Sequence, residues 1–338
     1  MPRKRRIDIP GTLHHVIVRG IEQKALFLDD GDRIEFLNRL EKGLKKTKCH
    51  CFAWALLSNH FHLLIRIGEE GLSALMRSLL TGYAIYFNHK YKRSGYLYQN
   101  RYKSILCQEE PYLLELVRYI HLNPLRAGLV KDLKELSRFH WCGHSVVLGN
   151  RNNSWQSVDE VLIHFGDKKS NSIRKYEKFV SEGIGQGRRE DLIGGGLIRS
   201  VGGWSRVNAL KKLGLKWRSD DRILGEGDFV EKVLKAIDDK LQRQEQLRQS
   251  GMTMEKALAR VRQVTGIPEE KILSRQRKRE YVEARVLFSY WANNDLGVSN
   301  KGIGQFLNIS RQAVVNLVAK GEEMVKKGND TLQLTSVP

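Results

Sequence analysis

The sequence predicts an α+β fold for the N-terminal part of this chain and an all-helical fold for the C-terminal part. Up to about residue 150, short apolar segments of two-residue periodicity alternate with amphipathic helical segments. Glycine then becomes frequent, and beyond about residue 228 only helical periodicity remains. We therefore predict an α+β domain over 1–150, a glycine-rich basic connector over 151–227, a helical domain over 228–325 and a tail over 326–338.

The N-terminal segments predict the order β-α-β-β-α-β-α. Alternation or a short apolar run predicts strands over 13–19, 51–57, 60–67 and 96–106. Apolar residues at helical spacing predict helices over 33–44, 72–91 and 110–122. Ser58 and Asn59 lie at a hairpin turn, and Pro124 ends or kinks the last helix. This order fits a small antiparallel sheet covered by helices, which is a ferredoxin-like arrangement.

The last two predicted helices match the spacing of a helix-turn-helix motif. Ser299 and Ser310 are suited to cap successive helices, and Asn308 suits a left-handed turn between them. The exposed start of the second helix would then face the major groove of DNA, through Arg311, Gln312 and Asn316. A plain helical hairpin is the alternative at this point.

Composition indicates a polyanionic partner. The formal net charge is +20 and the isoelectric point is about 9.8, which is most often a sign of nucleic-acid binding. A generally solvated basic surface is the alternative, but the basic residues cluster. No apolar run approaches the ~18 residues of a membrane helix, and the first residues do not resemble a signal peptide. We expect a cytoplasmic, nucleoid-associated bacterial protein with no membrane partner.

The four cysteines do not form a disulfide framework in a chain of this length. Cys49 and Cys51 are a single Cys-x-Cys pair, and Cys107 and Cys142 are isolated. We interpret them as buried thiols of a reducing cytosol, with a zinc site as the alternative.

His60, His62, Tyr119 and Asn123 form the most informative set of residues. Two histidines two positions apart on a strand point to the same side of a sheet, and residues four apart on a helix share one face. Two imidazoles, a hydroxyl and a carboxamide are the groups needed for metal-assisted attack on a phosphodiester. Taken singly, each has a structural alternative: the histidines can be incidental, and Tyr119 can be a packed aromatic.

The same residues lie in segments that resemble REP-associated tyrosine transposases, which belong to the HUH class of single-strand DNA endonucleases. The similarity covers about the first 150 residues. It is carried by LHHVIVRG (13–20), SNHFHLL (58–64), YQNRYK (98–103) and YIHLNPLRAGLV (119–130). His14 takes a position where relatives usually carry tyrosine, and we assign it no role.

The resemblance implies that Tyr119 is the nucleophile and that His60, His62 and Asn123 bind a divalent metal, Mg²⁺ or Mn²⁺. It implies cleavage and rejoining of hairpin-flanked single-stranded DNA through a 5′-phosphotyrosine, in DNA transposition or the processing of REP elements. A non-catalytic DNA-binding regulator and a metal phosphoesterase that uses water are the alternatives. The partners would be single-stranded DNA with a hairpin and adjacent duplex DNA, bound by a monomer or a homodimer.

The C-terminal segments REYVEAR (279–285) and IGQFL (303–307) resemble the duplex-binding domain of the bacterial initiator DnaA more loosely. ISRQAV (309–314) replaces that family's usual signature, so the initiator's recognition sequence cannot be carried over. Besides the three helix-turn-helix residues, the predicted DNA contacts are Arg3, Lys4, Arg5, Arg6, Lys90, Lys92, Arg93, Arg101, Lys103, Arg126, Arg188, Arg189 and Arg285. A solvated surface charge is the alternative for Lys90, Lys92, Arg93, Arg101, Lys103 and Arg126.

Overall fold

A computed structural model describes residues 7–187, 189, 192 and 222–327 of the chain. The chain divides into two compact units, residues 1–231 and residues 232–338. The boundary predicted at residue 150 therefore falls inside the first unit, because described residues beyond it pack against the sheet and its helices.

The first unit is built on a five-stranded sheet. The strands are β1 (Leu13–Arg19), β2 (His50–Leu56), β3 (His60–Arg66), β4 (Lys103–Cys107) and β5 (Ile223–Leu224). Their order is β2-β3-β1-β4-β5. The first four strands are antiparallel neighbours, as the ferredoxin-like prediction requires. The fifth was not predicted, and because it pairs parallel to β4 the sheet is mixed.

Helices cover both faces of the sheet. On one face, α1 (Asp30–Thr47) and α2 (Leu72–Lys90) pack on Val16, Val18 and the odd-numbered residues of β3. On the other face, α3 (Glu109–His121) packs on Leu13 and Leu64. Further short helices follow α3, namely α4 (Asn123–Arg126), α5 (Leu133–Arg138), α6 (His144–Val147), α7 (Val158–Leu162) and α8 (Lys169–Ser181). The side of the sheet that faces α3 carries the candidate functional site.

A buried polar contact fixes the end of α3 against α8. The Tyr176 hydroxyl lies 2.7 Å from Nδ1 of His121 and 2.8 Å from Nδ1 of His144. All three side chains are buried. Because a hydroxyl can donate one hydrogen bond and accept another, Tyr176 can bond to Nδ1 of both rings. The region expected to be a connector therefore contributes to the core beneath α3.

The strand predicted over 96–106 is shorter in the structure. Only Lys103–Cys107 pairs along β1, although Tyr98 makes an isolated bridge with Gly20. Before β4 the backbone bonds irregularly to the end of β1: Ile21 N–H donates to Leu97 O, and Gln99 N–H donates to Arg19 O. The residues before Lys103 instead form a loop beside the end of β1.

Backbone from later in the chain occupies both outer sides of the four-stranded sheet. Along β2, Leu56 N–H donates to Trp141 O, Gly143 N–H donates to Trp54 O, and Ser157 N–H donates to Cys51 O. Along β4, the N–H groups of Leu106 and Gln108 donate to the carbonyls of Arg222 and Leu224. The strands that would otherwise expose unpaired backbone groups are thus covered by residues 141–157 and 222–224.

The second unit is helical in the part that the structure describes. Its helices are α9 (Gly227–Gln249, which begins in the first unit), α10 (Met254–Thr265), α11 (Glu269–Leu273), α12 (Arg279–Asn294), α13 (Asn300–Phe306) and α14 (Arg311–Lys327). Ala284, Phe288 and Trp291 of α12 are fully buried in its core.

The turn between α13 and α14 has the caps that the sequence predicts. Ser299 Oγ accepts from Gly302 N–H, and Ser310 Oγ accepts from Ala313 N–H. Asn308 has a φ of 51°, in the left-handed region. Gly304 allows the close approach of the two helices, because a Cβ there would lie 2.9 Å from the carbonyl oxygen of Ile309.

All four cysteines are buried and unbonded to one another. Burial raises the pKa of the Cys142 thiol to about 12 and that of Cys51 still further. Within the described ranges, no helix has the length and apolar character needed to cross a bilayer.

Candidate functional site

The four residues predicted to act together line one cleft of about 570 Å³. His60 and His62 come from β3, Tyr119 from the last turn of α3, and Asn123 from the first position of α4. Arg19, Gln23, Asn59, Arg126 and Gly187 complete the polar and backbone lining.

Strand alternation places the two histidines on the face that α3 covers. Their ring centroids are 5.2 Å apart. Phe61 points to the opposite face, where its ring packs 4.6 Å from that of Phe36. The apolar residue between the histidines thus anchors β3 in the core, and the imidazoles are left to the cleft.

Tyr119 lies against the histidines and beneath an arginine. Its ring centroid is 6.0 Å from that of His62 and 6.0 Å from that of His15, with edge-on geometry in both pairs. The guanidinium carbon of Arg126 is 5.2 Å from the Tyr119 ring centroid. Arg126 also donates to Tyr119 O at 3.2 Å and to Gly183 O at 3.4 Å, so it holds the ring from the side opposite the sheet.

Hydrogen bonds fix the proton of His60 on Nδ1. Asn59 Nδ2 donates to Gln23 O at 3.2 Å, which orients the Asn59 amide so that its Oδ1 accepts from His60 Nδ1 at 2.7 Å. Burial, with a smaller contribution from the charge of Arg19, lowers the pKa of His60 to about 4. The ring is therefore neutral at pH 7, and its Nε2 carries a lone pair.

His62 is neutral for the same reason. Burial lowers its pKa well below the usual range, and the neighbouring His15 and His60 lower it further. A neutral imidazole is the form that binds a metal ion.

The donor atoms of the cleft fit a divalent cation. Asn123 is buried, and its Nδ2 has no hydrogen-bond partner among the described residues. Turning the amide by 180° places Oδ1 at the same point, where a cation would satisfy it. His60, His62 and Asn123 would hold the ion. Nowhere in the described ranges do three or more His, Cys, Asp or Glu side chains form a metal-binding group, so the proposed ligand set depends on the carboxamide.

The predicted DNA contacts are dispersed. Arg126 lines the cleft, whereas Lys92, Arg101 and Lys103 are exposed outside its lining. Lys90 is in ion pairs with Asp29 at 2.7 Å and Asp32 at 2.8 Å. Arg93 lies over the Phe87 ring at 5.5 Å. Arg189 pairs with Glu115 at 3.2 Å. Arg3, Lys4, Arg5, Arg6 and Arg188 lie outside the described residues.

In the second unit, the residues of the predicted helix-turn-helix and Arg285 differ sharply in exposure. Arg311, Gln312 and Asn316 are all exposed at the start of α14. Arg285 is buried, and its guanidinium donates to the backbone carbonyls of residues 274, 276 and 281. These hydrogen bonds give Arg285 a structural role in the second unit, and its contact with DNA stays a prediction.

Sequence reasoning missed His15, Arg19, Gln23 and Asn59. The two histidines of the LHHV segment were a possible signal. Because neighbouring strand residues point to opposite faces, one of the two had to face the site, but the sequence could not show which one. Arg19, Gln23 and Asn59 are polar residues at the ends of β1 and β3, and only the antiparallel register brings them together.

A ferredoxin-like sheet with a His-x-His strand and a tyrosine on the facing helix is the arrangement that the resemblance to HUH endonucleases leads one to expect. Residues 10–123, about one third of the chain, match the family model described as IS200-like transposase. This match supports the resemblance found in the sequence.

A solved structure of a REP-associated tyrosine transposase bound to a REP hairpin is similar at 18% identity and a TM-score of 0.38. The similarity covers 47% of this chain and 90% of that one. No curated protein matches the sequence.

Proposed function

We propose that this protein cleaves and rejoins single-stranded DNA beside a hairpin, with Tyr119 as the nucleophile. The observation that supports this most directly is the convergence of His60, His62, Tyr119 and Asn123 on one cleft. The IS200-like match over residues 10–123 supports the same class of reaction.

In the proposed reaction, Tyr119 Oη loses its proton and forms a bond to the scissile phosphorus. The bond from phosphorus to the 3′ oxygen breaks, and that oxygen leaves with the electron pair and takes up a proton. The 5′ side stays attached to Tyr119 as a phosphotyrosine. A 3′ hydroxyl then attacks the same phosphorus and releases Tyr119, so the bond energy is conserved and no nucleotide cofactor is needed.

The residues of the cleft have distinct parts in this scheme. His60, His62 and Asn123 hold a divalent cation, Mg²⁺ or Mn²⁺, which when bound polarises the phosphate and offsets its developing charge. Arg126 fixes the ring of Tyr119, and its charge favours the tyrosine oxygen as that oxygen gives up its proton. Arg19 at the cleft wall supplies a further positive charge towards an anionic substrate.

A covalent-adduct assay tests the proposal. Labelled single-stranded DNA with a hairpin is incubated with the full chain and Mg²⁺ or Mn²⁺, and denaturing gels show any protein–DNA adduct. We expect an adduct that disappears in Tyr119→Phe and persists in Tyr112→Phe, a matched change on the same helix outside the cleft. Cleavage that survives Tyr119→Phe would indicate a metal phosphoesterase that uses water. Binding to several hairpins with no cleavage would indicate a regulator.

We also propose that the second unit binds duplex DNA next to the cleaved strand. The exposed Arg311, Gln312 and Asn316 at the start of a capped helix support this. Replacing all three by alanine should weaken binding to hairpin DNA with a long stem by about 1–3 kcal/mol per lost base contact. Arg262→Ala, at an exposed arginine of α10, is the control. Equal affinity in the triple variant and the control, at fixed salt, would contradict the duplex-binding role.

Deleting residues after about 228 tests the domain assignment. We expect a larger loss of DNA affinity than of the rate of attack by Tyr119 on a short, already bound strand. An unchanged affinity at fixed salt would count against a duplex-holding unit.

A further inference from the structure

We infer that His15 is a positioning residue that sets the tautomer of His62 and turns its Nε2 lone pair towards the cleft. The inference rests on the proposed function, since it assigns a role to a residue behind the proposed metal ligands. It comes from a series of three hydrogen-bonded buried groups: the carbonyl of Leu192, the ring of His15 and the ring of His62.

The distances define the direction of the hydrogen bonds. His15 Nδ1 lies 3.3 Å from Leu192 O, and His15 Nε2 lies 2.9 Å from His62 Nδ1. A carbonyl oxygen only accepts, so the hydrogen on His15 Nδ1 points to Leu192. A neutral imidazole has one such hydrogen, and His15 Nε2 is therefore the acceptor in the contact with His62.

The proton between the two histidines must then come from His62. His62 Nδ1–H donates to His15 Nε2, and His62 Nε2 is left with its lone pair. In the opposite tautomer, His62 Nε2 would carry a hydrogen and could not bind a cation. Metal-binding histidines generally need a partner on the second ring nitrogen for this reason.

Packing holds the chain of groups in place. His15 is fully buried, His62 is nearly so, and their rings stack at 5.2 Å with an interplanar angle of 26°. Leu192 is 1% exposed and belongs to the core on the α3 face. The backbone carbonyl of Leu192, in the predicted connector, is thus linked to His62 by hydrogen bonds through the side chain of His15.

Asn59 has the equivalent part for His60, since its Oδ1 accepts from His60 Nδ1. Both histidines are therefore oriented alike, with Nδ1 bonded to the protein and Nε2 available to the cleft. The two partners differ in kind, because Asn59 is a neighbour along the chain and His15 lies on the adjacent strand.

His14 provides a matched control. It is the adjacent strand residue and is also buried, but it faces the other side of the sheet. There its ring nitrogens contact Thr12 Oγ1 at 3.0 Å and Ser104 Oγ at 2.8 Å. Replacing His14 removes a buried, hydrogen-bonded imidazole from the same strand without touching His62.

The test measures Mn²⁺ binding by calorimetry and histidine tautomers by ¹⁵N NMR in the metal-free full chain. We expect wild-type His62 to carry its hydrogen on Nδ1. His15→Leu should weaken Mn²⁺ binding by about 10- to 100-fold, the range typical of lost outer partners of metal ligands, and should disturb the His62 tautomer. His15→Gln, whose amide oxygen can accept in place of Nε2, should restore most of the affinity. His14→Leu should leave Mn²⁺ binding within about threefold of wild type.

Three results would overturn the inference. The first is a His15→Leu protein with wild-type Mn²⁺ affinity. The second is an equal loss in His14→Leu, which would show a general effect of disturbing β1. The third is a hydrogen on His62 Nε2 in the wild-type protein.

If the wild type binds no Mn²⁺, the proposed metal role fails, and the NMR tautomers still decide the role of His15. If His15→Leu does not fold, the His15→Gln variant and the wild-type tautomer decide it.

Discussion

Arg126→Gln tests whether Arg126 acts on Tyr119 or on the DNA backbone. The sequence predicts a phosphate contact, whereas the structure places the guanidinium 5.2 Å from the Tyr119 ring centroid, with hydrogen bonds to the carbonyls of residues 119 and 183. Burial lowers the pKa of Arg126, which reflects its removal from solvent. The two roles predict losses in different measurements.

The magnitude follows from this geometry. A cation over an aromatic ring contributes ~0.5–1 kcal/mol when exposed and ~2 kcal/mol when desolvated. Full charges about 5 Å apart interact by roughly 3 kcal/mol at an effective dielectric constant near 20, which is an upper value for charge developing on Tyr119. A loss of about 1–3 kcal/mol in the transition state corresponds to a rate of adduct formation about 5- to 150-fold lower.

The assay separates rate from affinity. Adduct formation is followed in a single turnover at saturating protein, and DNA affinity is measured in a Tyr119→Phe background so that no cleavage interferes. We expect Arg126→Gln to lower the rate and to change affinity by less than about threefold. Arg126→Lys, which keeps the charge and loses the planar fork, should be intermediate. An unchanged rate with weaker, less salt-dependent binding would refute the reasoning and restore the phosphate contact.

Three further predictions concern stability. Lowering the pH from 7.5 to 5.5 should lower the melting temperature of the first unit, because burial holds the pKa of His14 at about 3 and that of His144 at about 4. The two neutral imidazoles contribute fully to stability above the pKa of an unfolded histidine, ~6.5. This contribution is lost as the pH falls towards the lowered pKa values of the folded protein. Residues 232–338 contain no histidine, so a calorimetric transition of the second unit should move little; equal shifts would contradict this. Tyr176→Phe should lower the free energy of unfolding by about 1–3 kcal/mol, because it leaves two buried imidazoles without their shared partner. Urea unfolding measures this change, and an unchanged free energy would show that the imidazoles find other partners. Gly304→Val should destabilise the second unit by about 1–3 kcal/mol, because its Cβ would clash with the carbonyl oxygen of Ile309. Thermal melting followed by circular dichroism measures this loss. A melting curve like that of the wild type would show that the two helices can move apart.

The sequence predicted the parts of the fold whose signals are local. The alternation of β1 predicted its bounds correctly, and Ser299, Asn308 and Ser310 have the caps and turn expected of them. The strand expected over 96–106 began too early, because a local sequence pattern predicts a strand whether or not a partner strand continues beside it.

Contacts between residues far apart along the chain could not be predicted from the sequence. The partner of His15 lies at residue 192, far along the chain, and β5 is only two residues long. The roles of His60, His62, Tyr119 and Asn123 stay predictions, although the structure brings all four to one cleft. Periodicity shows which residues share a face, but it does not show which distant backbone carbonyl will lie next to that face.

The covered outer sides of the sheet bear on how two copies of this chain can associate. Strand-to-strand joining of two sheets needs a row of unpaired N–H and C=O groups on each copy. On β2 and β4 those groups are already bonded to residues 141–157 and 222–224 of the same chain. A dimer that paired directly with β2 or β4 would first have to displace these segments, and both belong to the unit that holds the cleft. The same coverage protects β2 and β4 from edge-to-edge aggregation.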